Sequence, residues 1–244
     1  MKELRHESVG LLVAEQPLRA AIFDRFGIDY CCAGRQTLLE ACAKSRIDPE
    51  IVIESLLAND ANATSQDAPE SWLNSSITEL IDHIQQTHHA YLKLELPRLQ
   101  LLAEKVALVH GTKDPRLLKV ASIFSKMKEE IEQHTEKEDR ILFPWMRQID
   151  RGRPLSEASF GAIANPIRRM DADHNEAGEA LMKLRELTDQ YTAPASACTS
   201  WTALLAGFAR LDQDLRTHIH KENSILFPKA IKKESAYALC QTIT

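Results

Sequence analysis

Glycine and proline are scarce in this chain of 244 residues, at 8 and 10, and aromatic residues make up only 6%. No Asn-Gly pair marks a tight hairpin, and no stretch sustains the alternation of apolar and polar residues that a half-buried strand needs. A β fold is therefore excluded. Apolar runs of roughly 18 residues, the length of a membrane span, are also missing. The first ten residues, MKELRHESVG, lack the apolar stretch of a secretory leader, so a cytoplasmic protein is expected and a membrane partner is not. Positive charge is in deficit. A net charge of −5 argues against nucleic acid as the main partner, because phosphate binding wants a positive surface. Cysteines number five (Cys31, Cys32, Cys42, Cys198, Cys240), an odd count unlike a secreted disulfide framework. In a reducing compartment they stay thiols.

What is abundant is Ala, Leu, Glu, Lys, Gln and Arg, the residues that lose least on entering a helix. Hydrophobic residues at 44% supply a core and charged residues at 27% a solvated surface. The fold class expected is all-α. Residues 1–58 read as a small helical domain. In it Pro17 opens a helix that Gly27 ends, Thr37 caps LLEACAKS, and Asp48-Pro49 opens EIVIESLLA. Residues 59–70 are polar, contain proline and lack periodicity, which predicts a linker. Residues 71–244 hold four long helical patterns: Ser76 to about Val109 with Pro97 inside, Pro115 to about Gln148, Asn165-Pro166 to about Tyr191, and about Ser200 to Lys232. Two of the connections are short, as antiparallel neighbours require.

Helices two and four of that set end alike, in HTEKEDRILFP and HIHKENSILFP. His134 and His218 are 84 residues apart, as are Glu138 and Glu222, and Leu117, Val120, Phe124, Met127 and Ile131 match Trp201, Leu204, Phe208, Leu211 and Leu215 at the same offset. At about 100° per residue, positions four apart share a face. Both His-x-x-x-Glu pairs thus fall on the apolar stripes. A core rejects ionised glutamate unless positive charge accompanies it, since an unpaired buried charge costs several kcal/mol. Two such glutamates at equivalent places call for cations.

The third helix centres His174 on its buried face, in line with Ile167, Met170, Ala177 and Leu181. Alone it would read as a neutral core histidine. Facing two His-x-x-x-Glu pairs, it reads as a further ligand. Helix one offers His88 on its apolar stripe and His89 at the edge, and periodicity alone does not separate them. His83 points to the opposite side. His220 faces away from the core of helix four, and with His6 and His110 it is expected in solvent. Four histidines and two glutamates exceed what one tetrahedral zinc takes and fit two ions. Mixed imidazole and carboxylate in a helix bundle favours iron or manganese.

The stretches FGIDYCCAGRQTLLEAC, IDHIQQTHHAYLKLELPRL, HTEKEDRILFP, DADHNEAGE and HIHKENSILFP together resemble the RIC proteins, for repair of iron centres, also called the YtfE/ScdA family. That resemblance implies a hemerythrin-like four-helix bundle preceded by a small helical domain. It implies two non-haem iron ions held by His89, His134, Glu138, His174, His218 and Glu222, with the glutamates as bridges and His89 chosen by its spacing to Glu95-Leu96-Pro97. Where the family usually has two glycines after the cysteine pair, this chain has Ala33-Gly34. The implied role is a stress protein that restores iron–sulfur clusters damaged by nitric oxide or peroxide, with damaged iron–sulfur proteins as partners and nitric oxide or oxygen as small ligands. A homodimer is among the assemblies expected. Iron donation needs no catalytic turnover. The rival readings are a nitric oxide reductase forming nitrous oxide at the same metals, and a sensor of oxygen or nitric oxide. Cys31 and Cys32 read either as two small buried residues at a helix junction or as an exposed dithiol, and the resemblance favours the dithiol.

Overall fold

The computed structural model describes residues 2–62, 72–153 and 160–241. Five short helices open the chain: α1 (Lys2–His6), α2 (Val9–Glu15), α3 (Arg19–Arg25), α4 (Leu38–Ser45) and α5 (Pro49–Asn62). Local chemistry sets their limits. Ser8 caps α2 by accepting from the Leu11 amide, and Gly27 leaves α3 with a φ of +64°. Thr37 and Glu40 close a reciprocal capping box on α4, worth about 1 kcal/mol. Asp48 accepts from the Glu50 amide where α5 begins. Residues 59–62 of the expected linker continue α5, and 63–70 lie outside the described residues.

A 3₁₀ turn (Trp72–Asn74) precedes α6 (Ile77–Ile84), a π turn (Gln85–His89) and α7 (Ala90–His110). Then come α8 (Arg116–Lys137), a π turn (Glu138–Leu142), α9 (Phe143–Asp150), α10 (Ala164–Leu187), α11 (Thr199–Lys221), a third π turn (Glu222–Leu226) and α12 (Phe227–Gln241). Among the described residues no helix is long and apolar enough to cross a membrane. Residues 154–159, between α9 and α10, lie outside the described residues. Pro97 sits inside α7 on its exposed face, where water can satisfy the carbonyl its missing N–H releases.

The chain divides into two compact units, Ile81–Arg216 and Met1–Leu80 with Thr217–Thr244. The first is a four-helix bundle, in which α7, α8, α10 and α11 share one apolar core. The residues matched at an offset of 84 meet there. Phe124 and Phe208 pack with their rings tilted and their centroids 4.9 Å apart, and Met127, Leu211, Ile131 and Leu215 belong to the same cluster. Toward the α10–α11 connection, buried Asp212 takes Arg185, Arg216 and the Tyr191 hydroxyl together, so its charge is compensated three ways.

The second unit has a core of its own, built from Val9, Leu12, Phe23, Leu38, Val52, Ile53 and Leu56 with Ile219 from the end of α11. Within it the N-terminal helices pack directly on the turn that carries Glu222. The Gly10 amide donates to the Gly34 carbonyl at 2.8 Å, and a Cβ on either glycine would meet the Ser224 hydroxyl, at 2.3 Å from Gly10 and 3.1 Å from Gly34. Lys229 of α12 donates to the carbonyls of Trp72 and Ser75, tying down the entry to α6.

Candidate metal centre

In the unit Ile81–Arg216, four of the expected ligands come together. Glu138 is fully buried, and its Oε2 lies 3.4 Å from Nε2 of His89 and 3.3 Å from Nε2 of His134. His174, 3% exposed, brings its Nε2 to 3.1 Å from Nε2 of His134. The other ring nitrogens of His89 and His134 face carboxylates. His89 donates from Nδ1 to Asp139 Oδ1 at 2.8 Å, and His134 faces Asp173 Oδ2 from Nδ1 at 3.4 Å. A carboxylate on Nδ1 fixes the proton there and leaves Nε2 with a bare lone pair. Burial works to raise the pKa of Asp139, but the hydrogen bonds from His89 and Gln85 hold it below the ordinary carboxylate range. Asp173 is held low chiefly by its hydrogen bond with His134.

In the other unit, His218 and Glu222 stand one turn apart on a continuous helix, with Nε2 and Oε1 3.0 Å apart and the glutamate fully buried. Three of the helices that carry expected ligands share a detail. The π turns Gln85–His89, Glu138–Leu142 and Glu222–Leu226 fall on His89, Glu138 and Glu222. A π turn weakens backbone bonding and persists where a side chain must be held out of α-helical register, commonly at a functional site.

The donors in each unit are of the kind that hold a metal ion. With the proton held on Nδ1, the Nε2 lone pairs of His89 and His134 face the buried Glu138 carboxylate oxygen, a conflict that a cation reconciles. Neutral imidazole and carboxylate in a bundle core are the ligands that iron and manganese take.

Comparison with known proteins agrees. Residues 59–230 match the family model for the hemerythrin HHE cation-binding domain, and residues 5–60 match a domain of unknown function, DUF542. The iron–sulfur cluster repair protein YtfE of Musicola paradisiaca (strain Ech703) is 36% identical, covering 95% of this chain and 99% of its own. Its namesake from Escherichia coli O157:H7 is 35% identical over 94% of this chain and 99% of its own. The chain belongs to the YtfE family. As a YtfE-family protein it carries a hemerythrin-type domain, the kind that holds two iron ions, and its buried histidines and glutamates suit that pair.

Other histidines and the cysteine pair can be set beside their sequence-based expectations. His88 and His89 are both buried but part company: His89 turns to Glu138, while Nδ1 of His88 bonds Asp214 at 2.8 Å. His220, expected in solvent, is 6% exposed and sits edge-on to Tyr30, with centroids 5.6 Å apart. Burial pushes its pKa down to about 4, against a backbone hydrogen bond with Tyr30 that opposes the shift. His110 is half-buried, 3.2 Å from the Cys198 sulfur and against Trp201. The expected exposed dithiol is exposed on one side only. Cys31 is buried and Cys32 half-buried, both as free thiols. The Cys32 thiol beside it and burial push the Cys31 pKa well up.

Proposed function

We propose that this protein repairs iron–sulfur clusters damaged by nitrosative and oxidative stress in the cytoplasm, by supplying iron held by His89, His134, Glu138, His174, His218 and Glu222. The observation that carries the reading is the fully buried Glu138 carboxylate with two Nε2 atoms at one of its oxygens, echoed by the His218–Glu222 pair at a constant sequence offset. The names of the curated relatives supply the target class, damaged iron–sulfur proteins.

Bound there, the metal pair supplies exchangeable iron and the positive charge that two buried carboxylates need. The chain does the rest. Asp139 and Asp173 keep the Nδ1 protons of His89 and His134 in place, so each Nε2 stays a donor. Glu138 and Glu222 each begin a π turn, a geometry frequent at functional sites.

The test is metal analysis of anaerobically purified protein together with iron transfer. About two irons per chain are expected. An iron–sulfur enzyme inactivated by nitric oxide should recover when mixed with the iron-loaded protein. It should not recover with Glu138→Leu or Glu222→Leu, which should each lose much of the iron. Full iron and full transfer in both variants would remove these residues from the site.

A further inference from the structure

Two adjacent residues in an extended chain send their side chains to opposite sides. Cys31 and Cys32 do not. Asp29 Oδ1 accepts from both of their amides, at 3.0 Å each, and this turn swings the two thiols toward each other. The sulfurs stand 3.8 Å apart, and Cys31 Sγ lies 3.1 Å from the same Asp29 oxygen. All three side chains offer a ligand atom within 4.8 Å of the others. The amide bonds account for the position of Asp29. The Cys31 thiol donates to the same carboxylate and meets the Cys32 sulfur, so three metal-ligating atoms converge at one place.

The spacing has a chemical meaning. Two thiolates bound at about 2.3 Å to a tetrahedral ion stand about 3.8 Å apart. The sulfurs are already at that separation. We propose that Asp29, Cys31 and Cys32 form a second cation site, for a thiophilic divalent ion, and that its physiological occupant is ferrous iron in transit. Two thiolates and a carboxylate leave a fourth position open, which suits an exchanging site, since structural sites are closed by four protein ligands. Soft sulfur donors and one carboxylate match borderline divalent iron or zinc and discriminate against magnesium and calcium. Asp29 is exposed, Cys32 half-buried and Cys31 buried, so the site has one face toward solvent and one toward the protein.

Its placement supplies the role. Asn223, the residue after Glu222, donates from Nδ2 to the Cys31 carbonyl at 3.3 Å. Tyr30 lies against His220, and the glycine that follows Ala33 lies against Ser224. The thiol pair is therefore fixed to the helix turn that bears His218 and Glu222. Binding an ion M²⁺ replaces two S–H bonds by two M–S bonds and sends two protons to solvent. No electrons move. The identity of the ion as iron rests on the repair reading; the existence of the site does not.

The experiment uses the full-length, iron-loaded protein and titrates it with Co²⁺ under anaerobic conditions. One equivalent should produce thiolate-to-cobalt charge-transfer absorption, which histidine and carboxylate ligands do not give. The band should vanish in Cys31→Ser/Cys32→Ser and in the milder Cys32→Ser, and the affinity should fall at least tenfold in Asp29→Asn. The bundle's own iron, measured separately, should stay at two per chain in every variant, which keeps this outcome distinct from any failure of the main site. Absence of the band in the parent protein, or its survival in the double serine variant, overturns the proposal.

Discussion

His88 and His89 are neighbours with different duties, and each duty can be removed alone. His89 gives Nδ1 to Asp139 and Nε2 to the side of Glu138, while His88 bonds Asp214 and packs its ring edge against His83. His89→Gln should therefore lower the iron content measured by metal analysis. His88→Gln should leave the iron near its parental level. It should cost about 1–3 kcal/mol in thermal unfolding by stripping Asp214 of its partner. The opposite pattern, with iron lost from His88→Gln and kept in His89→Gln, would exchange their roles. Periodicity could not make this choice, because the π turn beginning at Gln85 shifts the register between the stripe of α6 and that of α7. His220 shows a second limit of the same kind. Two positions past His218, it does lie off the bundle stripe. The face it occupies is covered by Tyr30 from far away in the sequence, and a period read along one helix reports one core only.

Caps and helix breaks were legible element by element, because each rests on a local side chain: Thr37 with Glu40, Asp48 before Pro49, Gly27 in a left-handed turn. The two His-x-x-x-Glu pairs stood out in the sequence for a different reason, since a buried charge at a repeated position is a conflict that sequence alone displays, whereas His89 was named only through the family resemblance. Helices α1 and α2 were not, being short and stabilised by packing more than by propensity. Nor were the π turns, whose extra residue leaves no compositional mark. Gly34 shows how packing between elements restricts what a sequence can hold. A Cβ there would stand 2.6 Å from the Tyr30 carbonyl oxygen, 3.1 Å from Ser224 Oγ and 3.3 Å from Gly10 Cα. Backbone has to move, so Gly34→Ala should cost about 1–3 kcal/mol, a drop of several degrees in a protein of this length. Thermal unfolding checks it, with Ala33→Ser as the control, since Ala33 is only half-buried. An unchanged midpoint in Gly34→Ala would mean the cysteine loop can shift at no cost.

At the scale of the whole molecule, the polar stretch after α5 suggests a first domain that could be cut away. The family models also meet there, at residues 59 and 60. Packing divides the chain elsewhere. The helices before residue 62 share a core with Ile219, cover His220, and hold Asn223 and Ser224 through Cys31, Gly10 and Gly34. A chain beginning at Trp72 would expose all of these. Uncovering the Ile219 side chain alone costs about 1.5–3 kcal/mol. His220 would also return to water, and a neutral buried imidazole would become one that titrates near its ordinary pKa of about 6.5. The truncated protein should therefore unfold at a lower temperature than the full chain. It should also hold iron less firmly, because His218 and Glu222 ride on the turn that loses its cover. Chelator challenge read by metal analysis, beside thermal unfolding, tests both effects. Adding the separate peptide of residues 1–62 should restore part of the loss, since among the described residues thirteen of the fourteen buried in that core come from this segment. Equal midpoints and equal iron retention with and without the first 71 residues would show that the N-terminal helices lend the metal-bearing turn no support.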